Sequence, residues 1–214
     1  MFYGQFNPPV DKEIYERYFI GKTEGISIEC GAFDGITDSC TKFFEESMNW
    51  KTINIEALPI AYDKLVDNRP NSLNLNIGLS NNNISKQFVN YKSPIPKLGY
   101  MWGNGSFTHL DHHKKDLEKH CGSTNYQVID IKCDTYTHLL ETLKLEKLDL
   151  FVLDVEGHEF EVIDGMVQST IFPDIFVIEH GHRTPADFVE KLKILPVKYK
   201  LDYVSFVNSF FIKV

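Results

Sequence analysis

The chain is predicted to fold as an open α/β domain around a mostly parallel sheet, and three observations carry that expectation. Short β-prone runs alternate with helix-compatible segments, the pattern of a parallel sheet with right-handed crossovers. The first run, Ile26-Ser27-Ile28, ends in the acidic, glycine-containing turn Glu29-Cys30-Gly31-Ala32-Phe33-Asp34-Gly35. Three further runs also end in polar residues: Thr52 to Glu56, Leu73 to Ile77 before Gly78-Leu79-Ser80, and Leu148 to Leu153 before Asp154-Val155-Glu156. Open α/β sheets bind ligands at the carboxyl ends of their strands, so chemistry is expected at these ends.

Taken in order, a strand near 26–30 is followed by a helix over 38–48 and a second strand over 52–56. Pro59 suits a first helical turn, where its missing N–H costs nothing, and Pro70 after Arg69 stops the same segment, giving a helix over 59–67. A third strand covers 73–77. The alternation then breaks. Phe88-Val89-Asn90-Tyr91 reads as a strand, and the stretch beyond it holds Pro94, Pro96, Gly99, Gly103, Gly105 and a polar helix around His109 to His120. Long irregular segments in compact domains tend to be functional, so 92–125 is expected to be a lid or substrate loop inserted into one domain spanning 1–214. Regularity returns with Tyr126 to Ile131, a helix from Thr135 to Leu143, the strand to Leu153, a helix near Glu159 to Gly165 and a strand over Ile175 to Ile178. After a helix from Pro185 to Leu195, Val197 to Tyr203 and Phe206 to Ile212 read as a terminal antiparallel pair.

Composition narrows the function. A length of 214 residues fits one sizeable core, and no proline- or glycine-rich linker divides it. The net charge of −8 argues against nucleic acid as the main partner, because phosphate contacts need clustered Lys and Arg. Lys114, Lys115 and Lys119 read instead as a solvated helix face. A small-molecule or glycan substrate fits better. Cys30, Cys40, Cys121 and Cys133 show no C-x-x-C spacing, which indicates neither a zinc site nor a disulfide framework. Without a signal-peptide core or a long apolar run, a soluble, cytoplasmic protein that does not enter the membrane is expected. Composition leaves the oligomeric state open.

The glycine turn has a chemical preference. Gly31 and Gly35 permit positive φ and close ligand approach, whereas Glu29 and Asp34 would repel a phosphate and suit hydroxyls or an ammonium group. Glu56 lies about twenty residues beyond the turn, the usual distance to an acid that binds ribose hydroxyls. The acids of the turn favour a nucleoside without phosphates over a dinucleotide. For Glu56 the alternative is an exposed acid near the start of the helix at Pro59. A carboxylate inside Ile28-Glu29-Cys30 needs a ligand or a backbone donor as its partner.

These residues, with Phe43-Phe44-Glu45, Asn49-Trp50-Lys51, Asn68-Arg69-Pro70 and above all Leu153-Asp154-Val155-Glu156-Gly157-His158-Glu159 followed by Ile163-Asp164-Gly165, resemble the FkbM family of S-adenosylmethionine-dependent methyltransferases. The likeness spans nearly the whole chain. It implies a Rossmann-like class I methyltransferase fold, with a seven-stranded, mostly parallel sheet and an antiparallel C-terminal strand. It also implies S-adenosylmethionine as cofactor, with Glu29, Gly31, Asp34 and Gly35 at its binding turn, Glu29 and Gly31 against the methionine part and Glu56 on the ribose diol. Ser80, just past the third strand, lies where it would meet the adenine edge, although serine after glycine also serves as a turn residue. Where the family has a small polar pair and then Thr, this chain reads Ser39-Cys40-Thr41.

The second constellation is Asp154, Glu156, His158 and Glu159, joined by Glu179-His180-Gly181-His182 on the next strand end. Methyl transfer to a hydroxyl needs a positioned acceptor and a base for its proton, so Asp154, Glu156, His158 and His180 are the catalytic candidates. Asp154, Glu179 and His180 also make a mixed oxygen and nitrogen set that Mg²⁺ or Mn²⁺ would accept. For His158 the alternative is a ring that packs locally at a helix start. Trp102 offers a flat face to a sugar, Asn104 a hydroxyl partner, and His182 a further substrate contact; Trp102 equally suits pinning the loop to the core. His109, His112 and His113 share a helix face, which a solvated surface explains. The expected activity is O-methylation of a sugar or glycan hydroxyl, and the competing reading is a binding module of the same fold that no longer methylates.

Overall fold

The computed structural model describes residues 1–181 and 183–214. It opens with helix α1 (Val10–Tyr18) and then enters the alternating part: β1 (Ile26–Cys30), α2 (Lys42–Met48), β2 (Lys51–Ile55), α3 (Pro59–Asn68) and β3 (Leu73–Leu75). Pro59 stands in the first turn of α3 as expected, and Asn49 ends α2 in the left-handed conformation that asparagine tolerates. Then come β4 (Gly78–Leu79), β5 (Lys86–Tyr91), α4 (Asp111–Cys121), β6 (Tyr126–Ile131) and β7 (Cys133–Asp134). Helix α5 (Tyr136–Leu143) starts on a Thr135 hydroxyl that accepts the His138 N–H. The chain closes with β8 (Leu150–Leu153), α6 (Glu159–Asp164), β9 (Ile175–Glu179), α7 (Pro185–Lys191), a 3₁₀ turn (Leu192–Ile194), β10 (Tyr199–Ser205) and β11 (Asn208–Lys213). A reciprocal Thr184–Asp187 capping box with Pro185 in the first turn fixes the start of α7.

Seven strands form the main sheet in the order β10-β11-β9-β8-β1-β2-β3. β11 runs antiparallel to both neighbours, and the other pairings are parallel. This is the expected class I methyltransferase arrangement. The chain leaves β1 towards β3 in one direction and returns on the far side of β1 as β8, which puts the topological switch at the carboxyl ends of β1 and β8.

Both faces of the sheet are covered, and the period of two decides which residue faces which layer. Ile28, Phe151, Phe176 and Phe211 pack on one side with Tyr136, Val162 and Phe188. Leu150, Val152, Val177 and Phe210 pack on the other with Val10, Ile14, Phe44 and Trp50. Glu29 lies between Ile28 and Cys30, so it faces the α1 and α2 layer.

Three departures from the sequence reading bear on the site. β3 stops at Leu75, short of Ile77, and residues 78–79 leave the main sheet to pair with 133–134. β5 and β6 pair with each other as a separate antiparallel ribbon that roofs the carboxyl edge. The terminal hairpin sits two residues later than expected because Phe206 and Val207 form its turn, Phe206 at φ 51°. Among the described residues no helix is long and apolar enough to cross a membrane.

Candidate active site

At the switch point a cleft of about 620 Å³ opens, of the size that holds a cofactor. The β1 turn, the β2 end and the β8 and β9 ends form its floor; Leu98, Met101, Trp102, Phe88 and Phe107 form its roof. Gly31 is required by close packing: at φ 90° a Cβ there would come within 1.8 Å of the Asp154 carbonyl oxygen.

Glu56 is oriented by the backbone. One carboxylate oxygen accepts the Phe33 N–H at 2.8 Å and the other the Leu58 N–H at 2.8 Å. Both oxygens are thus aimed by backbone donors, and the residue lines the cleft while only 7% exposed. Burial raises its pKa to about 7, and the backbone donors oppose that rise. Glu29 also reaches the cleft floor, but its oxygens are already engaged by the Cys40 N–H (2.6 Å), the Ser39 hydroxyl (2.8 Å) and the Thr41 hydroxyl (2.6 Å). The partner that the sequence demanded for this buried acid is thus the Ser39-Cys40-Thr41 segment. Asp34 lines the cleft while accepting the Ile36 and Thr37 N–H groups, which folds the turn tightly.

At the opposite end Asp154 and Glu179 meet across the parallel β8–β9 pair, one residue past the Leu153–Ile178 register. Glu179 acts on the Asp154 carboxyl through both its charge and a hydrogen-bonding contact. Burial first, and then the charges of Glu179 and Glu156, hold Asp154 well above the usual carboxylate range. Holding its proton relieves the repulsion that Asp154 would otherwise meet from the neighbouring acids. Glu156, at φ 56°, projects from the same turn towards His113 Nε2 at 3.8 Å. His113 is therefore turned inward and not onto a solvated helix face.

A family model, the methyltransferase FkbM domain, matches residues 29–205. The chain belongs to the FkbM family of methyltransferases. Its fold is similar to that of a crystal structure of methyltransferase FkbM from Methylobacillus flagellatus KT, at 13% identity and TM-score 0.50, over 92% of this chain and 46% of that one. The chain thus spans about half the length of that protein. Weaker likenesses are to a TehB-like SAM-dependent methyltransferase from Corynebacterium glutamicum ATCC 13032 (8% identity, TM-score 0.47, covering 95% and 85%) and precorrin-6y C5,15-methyltransferase from Geobacter metallireducens GS-15 (10%, 0.45, 95% and 85%). No curated protein matches the chain.

For this FkbM family member, the residues of the cleft fit S-adenosylmethionine on their own chemistry. A backbone-oriented carboxylate at the cleft wall suits a diol, and apolar Phe33, Leu58, Ile77 and Leu79 beside it suit an adenine ring. Five residues singled out in the sequence lie elsewhere. Ser80 follows β4 out of the main sheet and bonds the buried His158 ring, so it does not line the cleft. His158 is 2% exposed, held by Ser80 at Nε2 and Thr108 at Nδ1, both 3.0 Å, and burial lowers its pKa to about 4. It locks the roof segment to α6 and is not placed to act as a base in the cleft. His180 follows Glu179 and therefore points to the other face of β9, where Nδ1 meets the Ser209 hydroxyl at 2.9 Å. Asn104 clamps the Tyr91 backbone through both its amide atoms, and Gly35 packs on Arg69. His182 lies outside the described residues.

The expected metal set does not assemble. Among the described residues no group of three His, Cys, Asp or Glu is arranged to hold an ion, because His180 turns away from Asp154 and Glu179. Trp102 lines the cleft and also packs against Tyr91, Leu117 and Cys121, so it pins the loop to the core while presenting itself to the cleft. Gln5 and Asn208 were missed. Gln5 reaches the cleft because Asp11 accepts the Tyr3 and Gly4 N–H groups and Gly4 bridges to Asp38, pairings between residues distant in sequence.

Proposed function

We propose that the chain is an S-adenosylmethionine-dependent O-methyltransferase whose acceptor is a hydroxyl of an uncharged sugar or glycan. One observation carries the reading: a single cleft joins a backbone-oriented carboxylate, Glu56, at one end to two neighbouring carboxyl groups, Asp154 and Glu179, at the other. S-adenosylmethionine supplies an electrophilic methyl on a positively charged sulfur that departs as a neutral thioether. Glu56 accepts the ribose hydroxyls, and Gly31 lets the backbone approach. The Asp154–Glu179 pair takes the proton that the acceptor hydroxyl gives up as its oxygen bonds to the methyl carbon.

The lining of the cleft supports an uncharged acceptor. Glu29, Asp34, Glu56, Asp154, Glu156 and Glu179 line it, and no Lys or Arg does so among the described residues. A phosphorylated or carboxylated acceptor would meet repulsion without a countercharge. The 92–125 segment, which contributes Trp102 and Met101 to the roof, acts as the lid that excludes water and stacks on the sugar. Cys40 meets Glu29 through its backbone N–H, so its side chain gives no reason to prefer a non-catalytic module.

The test is transfer of a radiolabelled methyl group from S-adenosylmethionine to matched neutral, phosphorylated and uronic-acid saccharides. Label on the neutral members is expected. Transfer confined to the acidic members would overturn the acceptor reading, and a protein that binds no S-adenosylhomocysteine would overturn the cofactor reading.

A further inference from the structure

Arg69 ends α3 and is 1% exposed, the largest fully buried side chain in the protein. It does not line the cleft, yet all five of its N–H donors are placed. Nε bonds Glu45. One terminal nitrogen donates to the Gly35 carbonyl and the Ser39 hydroxyl, both at 3.2 Å. The other donates to the hydroxyls of Thr41 at 3.3 Å and Thr52 at 3.1 Å. Gly35 has no side chain because a Cβ there would sit 2.7 Å from Arg69 Cγ.

The polarity of this network matters. Because Ser39 and Thr41 accept from the guanidinium, their own hydroxyl protons are free to point only at Glu29, and both do so. One cation thereby fixes the turn after β1 at Gly35, Ser39 and Thr41, and orients the carboxylate that forms the cleft floor at that end. The guanidinium also lies 4.0 Å from Glu29, so it supplies the countercharge that a buried acid needs. For stability alone, apolar packing would do as well as a buried ion network. An apolar side chain could not set the direction of the two hydroxyls.

We infer that Arg69 is a positioning residue for the cofactor end of the cleft, ordering the Glu29 carboxylate and residues 31–41 against the amino-acid part of the ligand through Ser39 and Thr41. The inference rests on the cofactor reading above. Lys at this position keeps the charge but loses the fork, so the network comes apart while one ion pair survives.

Isothermal titration of Arg69→Lys with S-adenosylhomocysteine and with adenosine separates positioning from general damage. Adenosine lacks the amino-acid part and retains the Glu56 contact. The expected result is about a tenfold loss of affinity for S-adenosylhomocysteine, as one lost charge-assisted bond implies, with adenosine affinity within about twofold of wild type. Equal losses for both ligands, or no loss for either, overturn the inference. Should Arg69→Lys lose its native circular dichroism, Ser39→Ala decides by the same pair of titrations, because it cuts the relay and leaves Arg69 paired with Glu45. Wild-type protein that binds neither ligand refutes the cofactor reading itself, and the inference with it.

Discussion

Glu56→Gln is the most informative substitution, because it should raise the stability of the ligand-free protein at alkaline pH while weakening its ligand. The carboxyl has its pKa raised to about 7 by burial, against an ordinary value of 4.5. A group raised in the folded state stabilises most below its unfolded pKa, and that contribution is lost as pH rises through the folded value. For Glu56 the difference corresponds to roughly 3 kcal/mol between acid pH and pH 8. Glutamine removes this charge but presents an NH₂ to either the Phe33 or the Leu58 N–H, which costs about 1–3 kcal/mol. The variant should therefore match or exceed wild-type stability at pH 8 and fall below it at pH 5.

Affinity moves the other way. Two charge-assisted bonds to ribose hydroxyls become neutral ones at about 1 kcal/mol each, which is on the order of thirtyfold in the dissociation constant for S-adenosylhomocysteine at pH 8. At pH 5.5 wild type must first release a proton about 1.5 units below its pKa, at a cost of about 2 kcal/mol, so the two proteins should bind almost equally. Titration calorimetry of both proteins from pH 5.5 to 8 reads the ratio directly, and ionisation of the ligand cancels in it. A ratio that stays near one at pH 8 refutes the assignment of Glu56 to the ribose.

Asp154→Asn removes one carboxyl of the pair and should lower methyl transfer to an identified acceptor by about 10²–10⁴-fold, while S-adenosylhomocysteine affinity, followed by calorimetry, stays within about threefold; unchanged turnover would remove Asp154 from the chemistry. His158 makes a pH prediction of opposite sign to Glu56. Its pKa is lowered from 6.5 to about 4, so the stability it contributes is present above 6.5 and drains away as pH falls towards 4. Between pH 6.5 and 5 wild type should lose about 2 kcal/mol that His158→Gln does not, read as the difference between their denaturant midpoints; parallel curves would show that the ring does not titrate across unfolding.

Much of the fold was legible because its determinants are local. Alternating short runs, Pro59 at the start of α3 and the fully apolar cores of β8 and β9 announce a parallel sheet without reference to distant residues. The parts that were not legible depend on pairing. Nothing in Gly78-Leu79 says that it will leave Ile77 to bond Cys133 and Asp134, since two-residue strands carry no periodicity. The β5–β6 ribbon joins segments separated by the whole roof, and helix α1 has a mean polarity that hides its buried Val10 and Ile14.

The site follows the same division with one further cause. Glu29, Glu56 and Asp154 were found because a carboxylate ending a buried strand has few places to go. Their neighbours were misread because one residue along a strand reverses the face. Glu179 enters the cleft, and His180 beside it is carried to Ser209. His158 ends no strand; it stands just ahead of α6 with its ring enclosed by Ser80, Thr108 and Phe107. A histidine drawn this far from water loses its proton affinity along with its access to substrate, so the environment that lowers its pKa also removes it from the chemistry. For the carboxyls the same burial has the opposite result: it raises their pKa, and Asp154, which still opens onto the cleft, gains the proton affinity that a proton acceptor needs.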